Sequence, residues 1–276
     1  MRVIFCGVRG STPAPGAAFV RYGGNTSCVA LAHDGEAPSL VLDGGTGLRR
    51  LTKYLDGETF KGTILIGHLH WDHTHGLPFF RAGDAPDARV RVLIPEQGDA
   101  AEVMARAISP PHFPVRLEEL RGDWSVGGLD EGTFEIEGFT VTAAEIPHKA
   151  SRTYGFRISD GSSTLAYMSD HWPCASGMGP EGLGEYHEAA LMLAKDADLL
   201  VHDAQYTAEE YPVRGPFGHA AIEYAINLAE IAHAKALMLF HHDPDRTDDE
   251  IDAYRSLYSS NGVRIEPAAE GAVVDL

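Results

Sequence analysis

Three histidines and one aspartate fall within six residues, His68-Leu69-His70-Trp71-Asp72-His73. Imidazole and carboxylate are good ligands for zinc or manganese. In an extended segment, residues two apart point the same way, so His68 and His70 can grip one cation. Asp72 and His73 are adjacent and point apart, so they can serve a second. The stretch follows Thr63-Ile64-Leu65-Ile66, an apolar β-rich run that reads as a buried strand ended by Gly67. α/β chains usually place their chemistry at such strand ends. The plainer reading is a polar loop that happens to be rich in histidine. The density of ligand types after a strand argues against it.

The elements that must position this stretch can be read from apolar runs and breakers. Strands are expected at residues 2–6, 27–32, 40–42, 63–66, 89–94, 115–120, 133–136, 140–144, 154–158, 163–168, 198–201 and 236–240. Helices are expected at 47–55, from 76, at 96–107, 186–194, 218–232 and 248–257. Glycine-rich turns stand at Gly7–Pro13, at Arg21–Thr26 and at Asp43-Gly44-Gly45-Thr46-Gly47. The last lacks GxGxxG and GKS/T patterns, so Asp43 reads better as a carboxylate orienting a histidine, or as a helix cap. The loop Ser109-Pro110-Pro111-His112-Phe113-Pro114 could wall a site or form a rigid surface turn. No internal repeat or linker is visible, which predicts a single domain over 1–276.

The His-x-His-x-Asp-His stretch resembles the HxHxDH signature of the metallo-β-lactamase superfamily. The Gly-Ser-Thr-Pro loop and Tyr22-Gly23-Gly24-Asn25-Thr26 resemble its ribonuclease Z and cyclic-phosphodiesterase branch. The resemblance implies an α+β four-layer αββα sandwich with a dinuclear metal site at one edge. It also implies the remaining ligands: His148, Asp170 as the bridging carboxylate, and His241, preferred to His242 because it comes first after its strand. One metal would then take His68, His70 and His148, and the other Asp72, His73 and His241. Two divalent ions, zinc first and manganese as the alternative, are the expected cofactors. His171 is not counted as a ligand.

With two such ions, two carboxylates and a bound hydroxide, the site would carry about one positive charge and draw an anionic substrate. Paired metals suit in-line displacement at phosphorus. The branch also carries a carboxylate–histidine pair that donates a proton to the leaving group. Here it matches Asp203 and His219, so Asp72, Asp203 and His219 form the expected catalytic set. This chain departs from ribonuclease Z in having Asp203 where Glu is usual, and Gly218-His219-Ala220 in place of His-Ser-Thr. If His219 lies at a helix start, it could instead be bonded locally.

Forty acidic residues against 22 basic ones leave a formal net charge of −18. That repels nucleic-acid backbones and anionic membranes. The three cysteines, Cys6, Cys28 and Cys174, form no CxxC pair and fit a reducing compartment. With no export signal or membrane-length apolar run visible, the expectation is a cytoplasmic protein, and a homodimer is compatible.

The leading expectation is therefore a metal-dependent phosphodiesterase for a small or cyclic nucleotide-type diester. The runner-up is ribonuclease Z-type processing of tRNA 3′ ends, weakened by the acidic charge and the lack of a basic arm. A β-lactamase would usually carry Cys at the position of Asp170, and a glyoxalase II-type thioesterase would lack the Asp203–His219 pair. A non-catalytic sensor on the same fold would be expected to have lost ligands.

Overall fold

The computed structural model describes residues 1–150, 152–260 and 262–276. Among the described residues the strands run in chain order: β1 (Arg2–Gly7), β2 (Cys28–Ala32), β3 (Leu40–Leu42), β4 (Lys61–Leu65), β5 (Arg89–Pro95), β6 (Asp123–Leu129), β7 (Gly132–Ile136), β8 (Phe139–Glu145), β9 (Tyr154–Ser159), β10 (Thr164–Met168), β11 (Leu199–Asp203), β12 (Ala236–Phe240) and β13 (Arg264–Pro267). A last strand, β14 (Val273–Asp275), pairs back onto β1. The first sheet has the order β14-β1-β2-β3-β4-β5-β6, and the second β13-β12-β11-β10-β9-β8-β7. In each sheet one half is antiparallel and the other parallel, with the change at β3/β4 and at β10/β11.

Alternation along the strands builds four layers. In β1, Val3 and Phe5 enter the layer between the sheets while Ile4 faces outward, and in β11 Leu199 and Val201 point inward while Leu200 points out. Both faces are covered, so these strands read as continuous apolar runs rather than alternating ones. Helices α1 (Leu48–Leu51) and α3 (Ala100–Ala105) cover the first sheet, with α2 (Trp71–Thr74) at its edge. Helices α4 (Glu188–Ala194), α6 (Ile222–Ile231) and α7 (Asp248–Leu257) cover the second. The short α5 (Tyr211–Arg214) lies between β11 and α6. The result is the α+β αββα sandwich. The phenylalanines of its middle layer, Phe5, Phe139, Phe156 and Phe240, are fully buried, and each contributes roughly 1.5–3 kcal/mol relative to exposure.

Several boundaries differ from the sequence reading. The strand expected at 115–120 is a 3-10 turn at Leu117–Glu119, where the Glu119 carboxylate accepts the Arg116 N–H at 2.7 Å. The strand lies further on, at β6, where two glycines mask the apolar alternation. The helix expected at 96–107 shrinks to α3, capped by Asp99, which accepts the Glu102 N–H at 3.2 Å. The helix expected from 218 starts at Ile222, because Gly218 takes a left-handed φ of 105° and Ala221 is extended. Residues 77–79 form a 3-10 turn, and β13, β14 and α5 were not anticipated. No described helix is long and apolar enough to cross a membrane. The cysteines form no disulfide.

Candidate metal centre

Strand ends of both sheets meet at one rim, most of them from the parallel halves and one, that of β8, from the antiparallel half. From β4 the chain passes Gly67 and His68 to His70, whose extended ψ of 155° opens α2. Asp72 and His73 therefore sit on a helical turn rather than on extended chain. They converge, with His73 Nε2 3.2 Å from Asp72 Oδ2. The second sheet supplies His148 after β8, Asp170 after β10, Asp203 at the end of β11 and His241 after β12.

The ligand atoms of His68, His70 and His148 lie within 4.8 Å of one another, as do those of Asp72, His73 and His241. Asp170 stands between the two groups. Its Oδ2 lies 3.8 Å from His68 Nε2 and 3.5 Å from His148 Nε2, and its Oδ1 lies 3.0 Å from His73 Nε2 and 3.3 Å from His241 Nε2. One carboxylate oxygen thus faces each group. His242 takes no part: it is buried on the far side, its Nε2–H donating to the Ala268 carbonyl at 2.9 Å.

The electrostatics fit a cation. Both ring nitrogens of the fully buried His68 lack a hydrogen-bond partner among the described residues, a costly state unless something else binds them. His148 donates from Nδ1 to the Gly218 carbonyl at 2.7 Å, which leaves its Nε2 lone pair toward His70 Nδ1, 3.4 Å away. Burial pushes His148 down to about 4 and holds His68 well below the ordinary imidazole range, so both are neutral and able to ligate. Burial also opposes charge on His241, but Asp170 and Asp72 outweigh it and lift the ring to about 9. Carboxylates that hold protons on buried imidazoles are equally placed to hold a divalent ion.

Asp43 supports this cluster from beneath. Its Oδ2 lies 2.8 Å from His73 Nδ1 and accepts the Tyr167 and Ser169 hydroxyls at 2.8 and 3.0 Å, while Oδ1 accepts the Gly67 N–H at 2.8 Å. Gly10 packs so closely on His241 that a Cβ there would fall 2.4 Å from its Nδ1. Asp203 Oδ2 lies 3.0 Å from His219 Nδ1 and accepts the His171 N–H at 3.1 Å. The His171 ring turns away toward His202 and His187. His219 stacks on His241 and lines a cavity of about 300 Å³ with Asp72, Asp170 and His70.

Ser11 was not anticipated. It lines the same cavity, its N–H donates to Asp72 Oδ2 at 2.8 Å, and its hydroxyl accepts from Gln205 at 3.1 Å. The glycine-rich loop around it was visible as a turn, but its contact 61 residues away was not. The loop 109–114 lies outside this cavity. Its His112 and Phe113 wall an adjoining groove instead.

A family model described as a beta-lactamase superfamily domain matches residues 41–242, a span that holds every residue of the two triads and Asp170. The chain belongs to the metallo-β-lactamase superfamily. It is a hydrolase of that group, and membership implies divalent metal ions. A ribonuclease Z from Geobacillus kaustophilus is 27% identical over 222 residues, 64% of this chain and 69% of that protein. The metallo-β-lactamase fold protein YhfI from Bacillus subtilis superposes with a TM-score of 0.71 at 20% identity, covering 99% of both chains. A diphosphatase of the PhnP family gives 0.72 at 17% identity, covering 100% of this chain and 97% of the other. The ribonuclease relatives remove support for the expectation that nucleic acid is no partner of this chain.

Proposed function

We propose that the chain is a metal-dependent phosphodiesterase acting on a nucleotide-type diester, small or cyclic. One arrangement carries the reading: two triads share Asp170, one oxygen to each, beside an Asp203–His219 pair on the same cavity. In this reading His68, His70 and His148 hold one ion, Asp72, His73 and His241 hold the other, and Asp170 belongs to both. Bound divalent ions, zinc in our reading with manganese as the alternative, supply a nucleophile at neutral pH and offset charge on the phosphoryl oxygens. The remaining work falls to the chain. Asp43 and the Gly218 carbonyl orient His73 and His148. Asp203 orients the His219 ring through Nδ1, so that Nε2 can give a proton to the departing oxygen. The unbonded cysteines support a cytoplasmic setting, and the apolar layer shared by both sheets supports one domain.

A second reading, ribonuclease Z-type cleavage of tRNA precursors, is favoured by the names of the relatives and opposed by the net charge of −18. A hydrolysis screen of the zinc-loaded protein separates the readings. It would include bis-p-nitrophenyl phosphate, p-nitrophenyl phosphate, cyclic nucleotides and a tRNA precursor. Diesters turned over faster than the monoester support the proposal. Faster monoester cleavage overturns it, and cleavage of the precursor alone hands the site to the second reading. Inertness toward all of them with metal bound would leave a binding protein.

A further inference from the structure

The cavity at the metal centre does not end there. Leu69 and Trp71 line both it and a neighbouring groove of about 500 Å³, which continues past His75, Arg106 and His112. His75 and His112 in turn border a third hollow of about 430 Å³ that adds Arg49, Phe79 and Phe113. The trough leading away from the site is thus larger than the catalytic cavity itself.

Its walls are flat rings presented to solvent. Trp71 is 68% exposed and lies parallel to the His75 imidazole, with centroids 5.7 Å apart at 15°. Phe79 is 58% exposed and meets Phe113 edge-on. A single exposed aromatic residue needs no explanation, but a contiguous row of them beside a cavity does. The charges point the same way. In a chain of net charge −18, Arg49 and Arg106 face the trough and make no ion pair among the described residues. Stacking faces interleaved with free guanidinium groups are the chemistry that holds single-stranded nucleotides.

We propose that this trough is a nucleotide subsite. A base stacks on the Trp71–His75 face and the next phosphate meets Arg106, with Arg49 further along. The substrate is then a linear chain of two or three nucleotides with its scissile diester at the metal centre. A cyclic mononucleotide would fill the catalytic cavity and leave the trough empty. This rests on the diesterase reading of the metal centre and narrows its substrate.

Two measurements on the zinc-loaded protein test it. In the first, thymidine 5′-monophosphate and a phosphorothioate-linked dithymidylate bearing a 5′-phosphate are titrated against tryptophan fluorescence. In the second, both compete against hydrolysis of methyl p-nitrophenyl phosphate, a diester too small to reach the trough. The dinucleotide should bind at least about tenfold more tightly than the mononucleotide, the scale of one stacked base, and should quench Trp71. Arg106→Ala should abolish most of that advantage, as should Trp71→Leu, while Trp71→Phe restores it. Trp71 neighbours His70 and Asp72, so metal content is measured alongside, and the more distant Arg106→Ala keeps the test independent of the ligands. Equal affinity for the two nucleotides, or an advantage untouched by Arg106→Ala, overturns the subsite even if diesters are cleaved. If no diester is cleaved, the diesterase reading fails, and the fluorescence ratio still reports separately on the trough.

Discussion

Asp43→Asn changes one atom of a fully buried residue, and its cost can be worked out contact by contact. The carboxylate accepts three hydrogen bonds, from Gly67 N–H and from the Tyr167 and Ser169 hydroxyls. Bonds to a charged acceptor contribute about 1.5–3 kcal/mol each and neutral ones about 0.5–1.5, so neutralising the acceptor of three loses about 3 kcal/mol. The amide can turn either way. With NH₂ toward Gly67, two donors face each other. With NH₂ toward Oδ2's position, the hydroxyls can turn to accept, but His73 Nδ1 must accept as well. That forces the proton onto His73 Nε2, the nitrogen facing Asp72 and Asp170. A ligand nitrogen carrying a proton cannot bind metal. For a chain of this size, about 3 kcal/mol corresponds to a fall of about 6–12 °C in the melting temperature of metal-free protein. Zinc affinity should fall about 10–100-fold, the usual cost of losing an orienting partner. Calorimetric melting after chelation and zinc competition with a chromophoric chelator measure the two effects. A melting temperature within about 2 °C of wild type, with zinc affinity unchanged, would refute the reasoning.

Three other perturbations bear on the same centre. Asp170→Ala should lose at least one metal ion and nearly all turnover while keeping its circular dichroism, since this carboxylate faces both triads; elemental analysis showing both ions retained would reduce Asp170 to a turn residue. His219→Ala should slow a nucleotide diester by about 10²–10⁴-fold but a p-nitrophenyl diester far less, because only the alkoxide needs a proton to leave. Equal losses on the two substrates at unchanged metal content would remove the acid role. Gly10→Ala drives a methyl group to 2.4 Å from the His241 ring, so it should weaken metal binding at least about tenfold, and isothermal titration showing wild-type affinity would mean that the loop yields freely.

Legibility followed distance along the chain. His68, His70, Asp72 and His73 could be read from residue types alone because one strand exit and one helical turn carry them all. His148, Asp170 and His241 each end a different strand, and only the family resemblance singled them out. Most strands were legible because those buried on both faces are dense in Val, Ile and Leu, whereas the four-layer arrangement followed from the family resemblance. Boundaries failed where glycine interrupted that pattern. Gly127 and Gly128 hid β6, and Gly218 delayed α6 by four residues from its expected start at 218 to Ile222. Edge strands β13 and β14 are short, and β13 ends in Pro267, so nothing in their sequence separates them from loop. Ser11 and the Trp71 trough depend on packing between distant segments, which no local pattern encodes.

Asp72 and His241 meet across 169 residues of chain. Between them lie the parallel pairings of β5 with β6 and of β11 with β12, each requiring a long crossover before any bond forms. Loop closure over such a span must be met before the ligands converge, so the site cannot nucleate the fold. On the ribosome, the first histidine group is exposed well before residue 241 is made, and it then offers an incomplete set of donors. Metal capture is thus a closing event, recording that both sheets have docked. Refolding of the chelated protein should proceed at the same rate with or without a pulse of zinc, whereas unfolding slows once zinc is bound. A zinc-dependent folding rate would place the ion in the nucleus instead.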